Sequence, residues 1–163
     1  KKKKDFDDLS GRIKSLTIAK DRILKLSIEM HREFAPIINE EVGSIFNLIT
    51  NGRYNGVMID NQLNISVVDE RRRVIPISSL SGGTVDQLYF SLRIALSNHL
   101  MGEKMPLFLD ESFAHYDNHR LKNIVEFLYE ISKDRQIFVF TCHNREQEVM
   151  EELGLEYNLV HLT

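Results

Sequence analysis

From residue 84 onward, apolar runs of strand length alternate with stripes of helical period, and that alternation limits the chain more than any other feature. Val85, Leu88, Leu92, Ala95 and Leu96 fall at helical spacing over 84–100. A short strand is predicted at 106–109, running into two adjacent acids. Leu121, Ile124, Val125, Leu128 and Ile131 share one helix face, with Asp117 placed as its N-cap. A second buried strand is predicted at 136–141, a short helix at 146–153 ending at Gly154, and a last strand at 157–162. Buried strands alternating with helices predict a parallel α/β sheet, with ligands at the carboxyl ends of its strands.

Upstream the period is different. Positions 6, 9, 13, 16, 20, 23, 27, 30, 34 and 37 advance by alternating threes and fours. They hold Phe6, Leu9, Ile13, Leu16, Lys20, Ile23, Ser27, Met30, Phe34 and Ile37, eight of them apolar, which is the seam of a helix that packs on another helix. An amphipathic helix lying on the body has the same signature. Pro36 is expected to kink or restart this helix, because proline lacks an N–H and crowds the preceding turn. A second stripe, Ile38, Val42, Ile45, Phe46 and Ile49, ends at the turn signal Asn51-Gly52. Over 53–76 the period becomes two, with turns at Asp60-Asn61 and 69–72, so an antiparallel meander is predicted.

Composition bounds the class. A chain of 163 residues with 42% apolar and 28% charged residues is globular and about the size of one domain, or one lobe of a larger one. No apolar run approaches the roughly 20 residues of a membrane span. The single cysteine, Cys142, excludes an internal disulfide framework and a multi-cysteine zinc site, and a reducing cytoplasm is the simplest home. The chain begins at Lys1 and reads as a piece of something longer. Residues 1–25 carry nine Lys/Arg against four Asp/Glu, whereas the remainder carries twelve against twenty. A basic extension on an acidic body fits nucleic-acid contact, and it equally fits a solvated helix face. The run Arg71-Arg72-Arg73 at a predicted hairpin tip divides the same way between phosphate contact and simple solvation.

Four short segments carry chemistry. Ser81-Gly82-Gly83 precedes a helix, where small residues and unpaired N–H groups can approach a phosphate; the same triplet also serves as a plain turn and cap. Leu107-Phe108-Leu109 ends in Asp110 and Glu111, a pair able to hold a metal shell and activate a water, or merely to cap a strand in solvent. The loop Ser112-Phe113-Ala114-His115-Tyr116-Asp117 follows at once. His143 closes the second apolar strand, where an imidazole can hydrogen-bond a phosphate oxygen. Zinc held by Cys142 and His143 is disfavoured, because adjacent residues seldom chelate one ion. His31, His99, His119 and His161 are read as structural.

Order and spacing bind these segments together: Ser81 precedes Asp110 by 29 residues, and His143 follows Glu111 by 32. The sequence resembles the C-terminal lobe of an ABC-type ATPase head. The match is a signature motif LSGGTVDQ (80–87), a Walker B segment PLFLDE (106–111), a D-loop SFAHYD (112–117) and a switch histidine TCH (141–143). The form of the signature helix, and the segment INEEVGSIFNLITNGRY (38–54), are similar to the SMC, SbcC and YhaN group of coiled-coil DNA-maintenance ATPases. Thr84 stands where the group usually has glutamine or glutamate, and Tyr116 where its D-loop usually has leucine; neither change removes a catalytic group.

The resemblance implies roles residue by residue. Asp110 would hold Mg2+, Glu111 would act as general base and His143 would contact the phosphate, all toward the ATP on the same head. Ser81, Gly82 and Gly83, with the D-loop Asp117, would face ATP on a second head. No G-x-x-x-x-G-K-[ST] segment occurs. The resemblance places that Walker A loop in an N-terminal lobe of the same protein, beyond a long antiparallel coil. Residues 1–35 would then be the base of the coil and 36–163 the C-terminal lobe. The implied partners are the N-terminal lobe, a second head as homodimer, DNA and a nuclease subunit, with no membrane. By itself the chain is expected to be inactive. Two other readings stand beside this one. An ABC transporter nucleotide-binding lobe would need a nearby Walker A and no coil, and a non-catalytic module would keep the fold without turnover.

Overall fold

The computed structural model describes residues 2–60, 62–100 and 105–161, with side chains except at 2–10, 27, 28 and 30–33. Helix α1 spans Lys2–Ile49, and the chain divides into two compact units, Lys1–Ile37 and Ile38–Thr163. Pro36 lies inside α1, so the restart expected there does not occur. A proline removes one ladder bond, a small fraction of those available to a helix of 48 residues.

In the first unit the seam residues Ile13, Leu16 and Ile23 are 59%, 70% and 67% exposed, and Phe34 and Ile37 are exposed as well. The side chains of Phe6, Leu9, Ser27 and Met30 fall outside the described residues. A stripe this apolar is unfavourable in water and drives association when a second stripe is available. Purified chain is therefore expected to self-associate with rising concentration in sedimentation experiments. Lys20 in the seam keeps that association weak. Replacing Ile13, Leu16 and Ile23 by glutamate should return a monomer with its α/β body folded. A wild-type chain that stays monomeric throughout, with the helix ordered and solvated, would show that the stripe is no seam.

The second unit opens with the end of α1. Val42, Ile45, Phe46 and Ile49 recur at helical spacing and are buried, as their stripe predicts. The helix ends where Asn51 and Gly52 take positive φ, 53° and 77°, and the Gly52 N–H donates back to the Asn47 carbonyl at 2.9 Å. Strands β1 (Tyr54–Ile59), β2 (Ile65–Asp69) and β3 (Val74–Pro76) form the expected antiparallel meander, in that order. It packs tightly on α1: a Cβ added at Gly43 would sit 3.2 Å from the Val57 nitrogen, so only glycine lets helix and strand backbones approach this closely. Asp69 organises the arginine-rich hairpin. Its carboxylate accepts from the Arg71 and Arg73 N–H groups and from the Arg73 guanidinium, which holds it below the usual carboxylate range.

Helix α2 covers Gly82–Leu100, and its buried face includes Leu88 and Ala95 and packs Leu92 on the core as the spacing predicts, but is wider than that stripe. Thr84, Gln87, Leu88, Phe90, Ser91, Ile94 and Ala95 are buried, while Leu96 is exposed. The polar members make the difference. The Gln87 amide donates to the Ile49 carbonyl at 2.9 Å and the Ser91 hydroxyl to the Gln87 carbonyl, so both are satisfied although the stripe did not include them.

Strand β4 (Leu107–Asp110) pairs in parallel with β5 (Ile137–Phe140), in register from Leu107 opposite Ile137 to Asp110 opposite Phe140. Helices α3 (Asn118–Ser132) and α4 (Arg145–Glu152) follow these strands. Leu121, Ile124, Val125 and Leu128 are buried on α3 as predicted, and Asp117 caps it by accepting from the Arg120 N–H at 2.9 Å. Two expectations fail here. Strand β4 is covered on one face only among the described residues, with Leu107 and Leu109 buried but Phe108 62% exposed and stacked on Phe138, ring centroids 4.9 Å apart, and in β5 no residue is buried, Val139 and Phe140 being exposed. Nor is there a strand over 157–161, where Val160 is 74% exposed; residue 162 lies outside the described residues. A strand needs a neighbour to take its backbone hydrogen bonds, and among the described residues none pairs there.

Candidate functional site

Two polar clusters gather most of the residues singled out by sequence. The first forms where β4 and β5 end side by side. The Glu111 N–H donates to the Phe140 carbonyl at 2.9 Å, extending the sheet by one bond. Glu111 itself sits at φ 45°, a left-handed conformation that costs a non-glycine residue on the order of 1 kcal/mol or more. What holds it is its own carboxylate, whose Oε1 accepts from the Cys142 N–H at 2.6 Å. The other oxygen lies 3.9 Å from His143 Nε2. The Cys142 N–H leads in keeping the Glu111 carboxyl below its ordinary range, with the Cys142 side chain and the nearby imidazole adding to it.

Cys142 shares this corner, and ligand atoms of Glu111, Cys142 and His143 lie within 4.8 Å of one another. The Glu111 carboxylate pushes the thiol upward, away from the thiolate a soft metal would need. Magnesium takes oxygen ligands, so the exposed carboxylate of Asp110, at the tip of β4, is the better match for it. The His143 turn is tied down from below. Its N–H donates to Thr141 Oγ1 at 3.1 Å, and the Thr141 hydroxyl donates to buried Glu146 at 3.2 Å.

The D-loop is anchored by aromatics. Phe113 and Tyr116 are buried, with ring centroids 5.7 Å apart, and Phe113 meets Phe90 edge-on at 6.0 Å. Tyr116, unusual at its position, thus acts as a core residue, and burial followed by the charge of Asp86 pushes its phenol well up. The Arg145 guanidinium donates to the Tyr116 carbonyl, fastening the loop to α4. His115 and Asp117 remain exposed.

The second cluster joins the start of α2 to the start of α3. Ser81 Oγ and Thr84 Oγ1 are 2.8 Å apart. The Arg120 guanidinium pairs with Asp117 and reaches toward both hydroxyls. Arg120 leads the Asp117 carboxyl downward, first through its backbone N–H and then through its charge. A Cβ at Gly83 would meet that guanidinium at 3.2 Å, whereas one at Gly82 would meet no described atom within 4 Å. A cleft of about 290 Å3 opens alongside, lined by Thr50, Arg53, Gln87, His119 and Asn123 among others.

The structure brings Glu111 and His143 together in the first cluster and Ser81, Gly83 and Asp117 in the second; Asp110 stands exposed at the end of β4 and Gly82 at the start of α2, each next in sequence to a cluster member. Sequence reasoning missed Arg120 and Glu146, and the supporting roles of the Thr141 hydroxyl and the Cys142 N–H within the TCH segment. Only Arg120 left a trace, as an i,i+3 partner of Asp117.

YhaN of Bacillus subtilis, an uncharacterised protein, is 34% identical over 131 residues, covering 78% of this chain and 14% of its own length. The DNA double-strand break repair Rad50 ATPase of Pyrococcus abyssi is 30% identical over 112 residues, covering 67% of this chain and 13% of its own. A solved chain from work on ATP-driven dimerisation and DNA-stimulated activation of SMC ATPases superposes with a TM-score of 0.62 at 20% identity, over 76% of this chain and 77% of that one. This chain belongs to the same SMC- and SbcC-like family as these relatives. Its fold is that of the C-terminal lobe of an ABC ATPase head. No protein-family model matches the sequence. The lobe spans about one seventh of the two curated relatives, so what it shares with them is this segment alone. Among its described residues no helix is long and apolar enough to cross a membrane.

Proposed function

We propose that this lobe is the C-terminal half of an ATP-hydrolysing head that dimerises on ATP in DNA repair or chromosome maintenance in the cytoplasm. The observation that carries the reading is the meeting of Glu111 and His143 at the ends of two paired parallel strands, beside Asp110. In this reading Asp110 holds magnesium, an ion that supplies charge neutralisation to the phosphates. Glu111 takes the proton of the attacking water, and His143 donates to a phosphate oxygen.

Ser81 and the N–H groups of Gly82 and Gly83 bind the nucleotide of a second, identical head. The open space at Gly82 supports this, because nothing described in the chain requires glycine there. Residues 1–35 form the base of the coil and 36–163 the lobe. The uncovered Phe108–Phe138 face of the sheet is the seat for the N-terminal lobe of the same protein, and the excess of positive charge in residues 1–25 suits a DNA partner. A nuclease subunit would read the opening of the heads through the coil.

The test separates the lobe from the head. Purified alone, the lobe should show no steady ATP hydrolysis, since it has no phosphate-wrapping loop. Adding the Walker A lobe of the same protein should restore magnesium-dependent turnover. Robust hydrolysis by the lobe alone, or none from the pair, overturns the reading.

A further inference from the structure

Arg120 touches both halves of the second cluster. Its backbone N–H and its guanidinium both go to Asp117, and its Nη2 lies 3.4 Å from Ser81 Oγ and 3.5 Å from Thr84 Oγ1. The guanidinium also lies over Gly83, within 3.2 Å of where a Cβ would stand. At 3.4–3.5 Å each hydroxyl contact is weak, so the plate steers the loop rather than locking it.

Proton accounting gives the contacts a direction. Arginine offers donors only, so both hydroxyl oxygens accept from it. Thr84 is 3% exposed, and a buried hydroxyl proton left unpaired is costly. Among the described hydrogen bonds, the acceptor within its reach is Ser81 Oγ at 2.8 Å. Thr84 is therefore the donor in that bond. Ser81, which is exposed, then has both lone pairs engaged, and its own proton is free to point outward.

We propose that Arg120 is a positioning residue. Together with Thr84 it presents the Ser81 hydroxyl as an outward donor and couples the 81–84 loop to the Asp117 loop, so that the two respond together to a phosphate on the opposing head. The outward phosphate rests on the function proposed above; the coupling of the two loops does not.

Arg120→Ala, Arg120→Lys and Thr84→Val in the full-length protein test both parts. Hydrogen exchange reads the coupling. Arg120→Ala should speed exchange at residues 81–85 and in the Asp117 loop together, by about tenfold for the loss of roughly 1.4 kcal/mol. Arg120→Lys keeps a charge for Asp117 but has no planar fork to span both loops, so it should protect the Asp117 loop and not residues 81–85. The ATP concentration for half-maximal head dimerisation should rise about tenfold in Arg120→Ala and measurably in Thr84→Val, with melting temperatures near that of wild type. If wild-type heads do not dimerise with ATP, the proposed function fails, and exchange still decides the coupling. Exchange unchanged at residues 81–85 in Arg120→Ala, or a melting loss with no shift in ATP dependence, overturns the positioning role.

Discussion

Glu111→Gln in the complete head should slow ATP hydrolysis by about 10²–10⁴-fold, the usual contribution of a positioned general base, while ATP-bound heads accumulate as dimers. The amide keeps the size of the carboxylate and one carbonyl oxygen, which can still accept from the Cys142 N–H and so preserve the left-handed turn at position 111. What it loses is the ability to take a proton. Binding should persist while turnover stops, and sedimentation in ATP beside a phosphate-release assay would show the split. The pH profile adds a check. A carboxyl whose folded pKa is lowered stays ionised above that value and is lost as base only when pH falls through it. The acid limb of activity should therefore not rise into the neutral range on account of Glu111. An unchanged rate in Glu111→Gln would mean that another group takes the proton.

Ser81→Arg should abolish ATP-driven dimerisation rather than slow chemistry within it. Ser81 is exposed at the mouth of α2, and the space over Gly82 is open. An arginine there would fill the approach that the backbone N–H groups need. It would also set a second guanidinium beside Arg120, whose reach to Ser81 Oγ is only 3.4 Å. Repulsion and bulk act in the same direction. Combined with Glu111→Gln, which by itself traps dimers, Ser81→Arg should return monomers at every ATP concentration in sedimentation. Dimers persisting in the double variant would show that residues 81–83 do not face the opposing nucleotide.

The lobe's fold was largely readable because its elements are locally encoded. The Val42–Ile49 stripe, the meander, the Asp117 cap and the α3 face each depend on residues close in sequence, where period and capping chemistry act. Where the reading failed, the deciding partner was distant in sequence, or none pairs among the described residues. The α2 face is wider than its apolar stripe because Gln87 finds the Ile49 carbonyl 38 residues away. The 157–161 segment forms no strand because pairing needs a neighbouring backbone, which β-propensity cannot supply.

The same division holds at the site. The order of Ser81, Asp110, Glu111, Asp117 and His143 along the chain determined that they would fall at strand ends and helix starts, the places where phosphate chemistry is expected. Only tertiary structure decided how they are held. Parallel pairing of β4 with β5 brings the Cys142 N–H to the Glu111 carboxylate from 31 residues away. The packing of α2 beside α3 lets Arg120 reach Ser81 across 39 residues. Such contacts leave no period in the sequence, because hydrogen bonds between distant segments depend on how the chain packs and not on the spacing of residues along it.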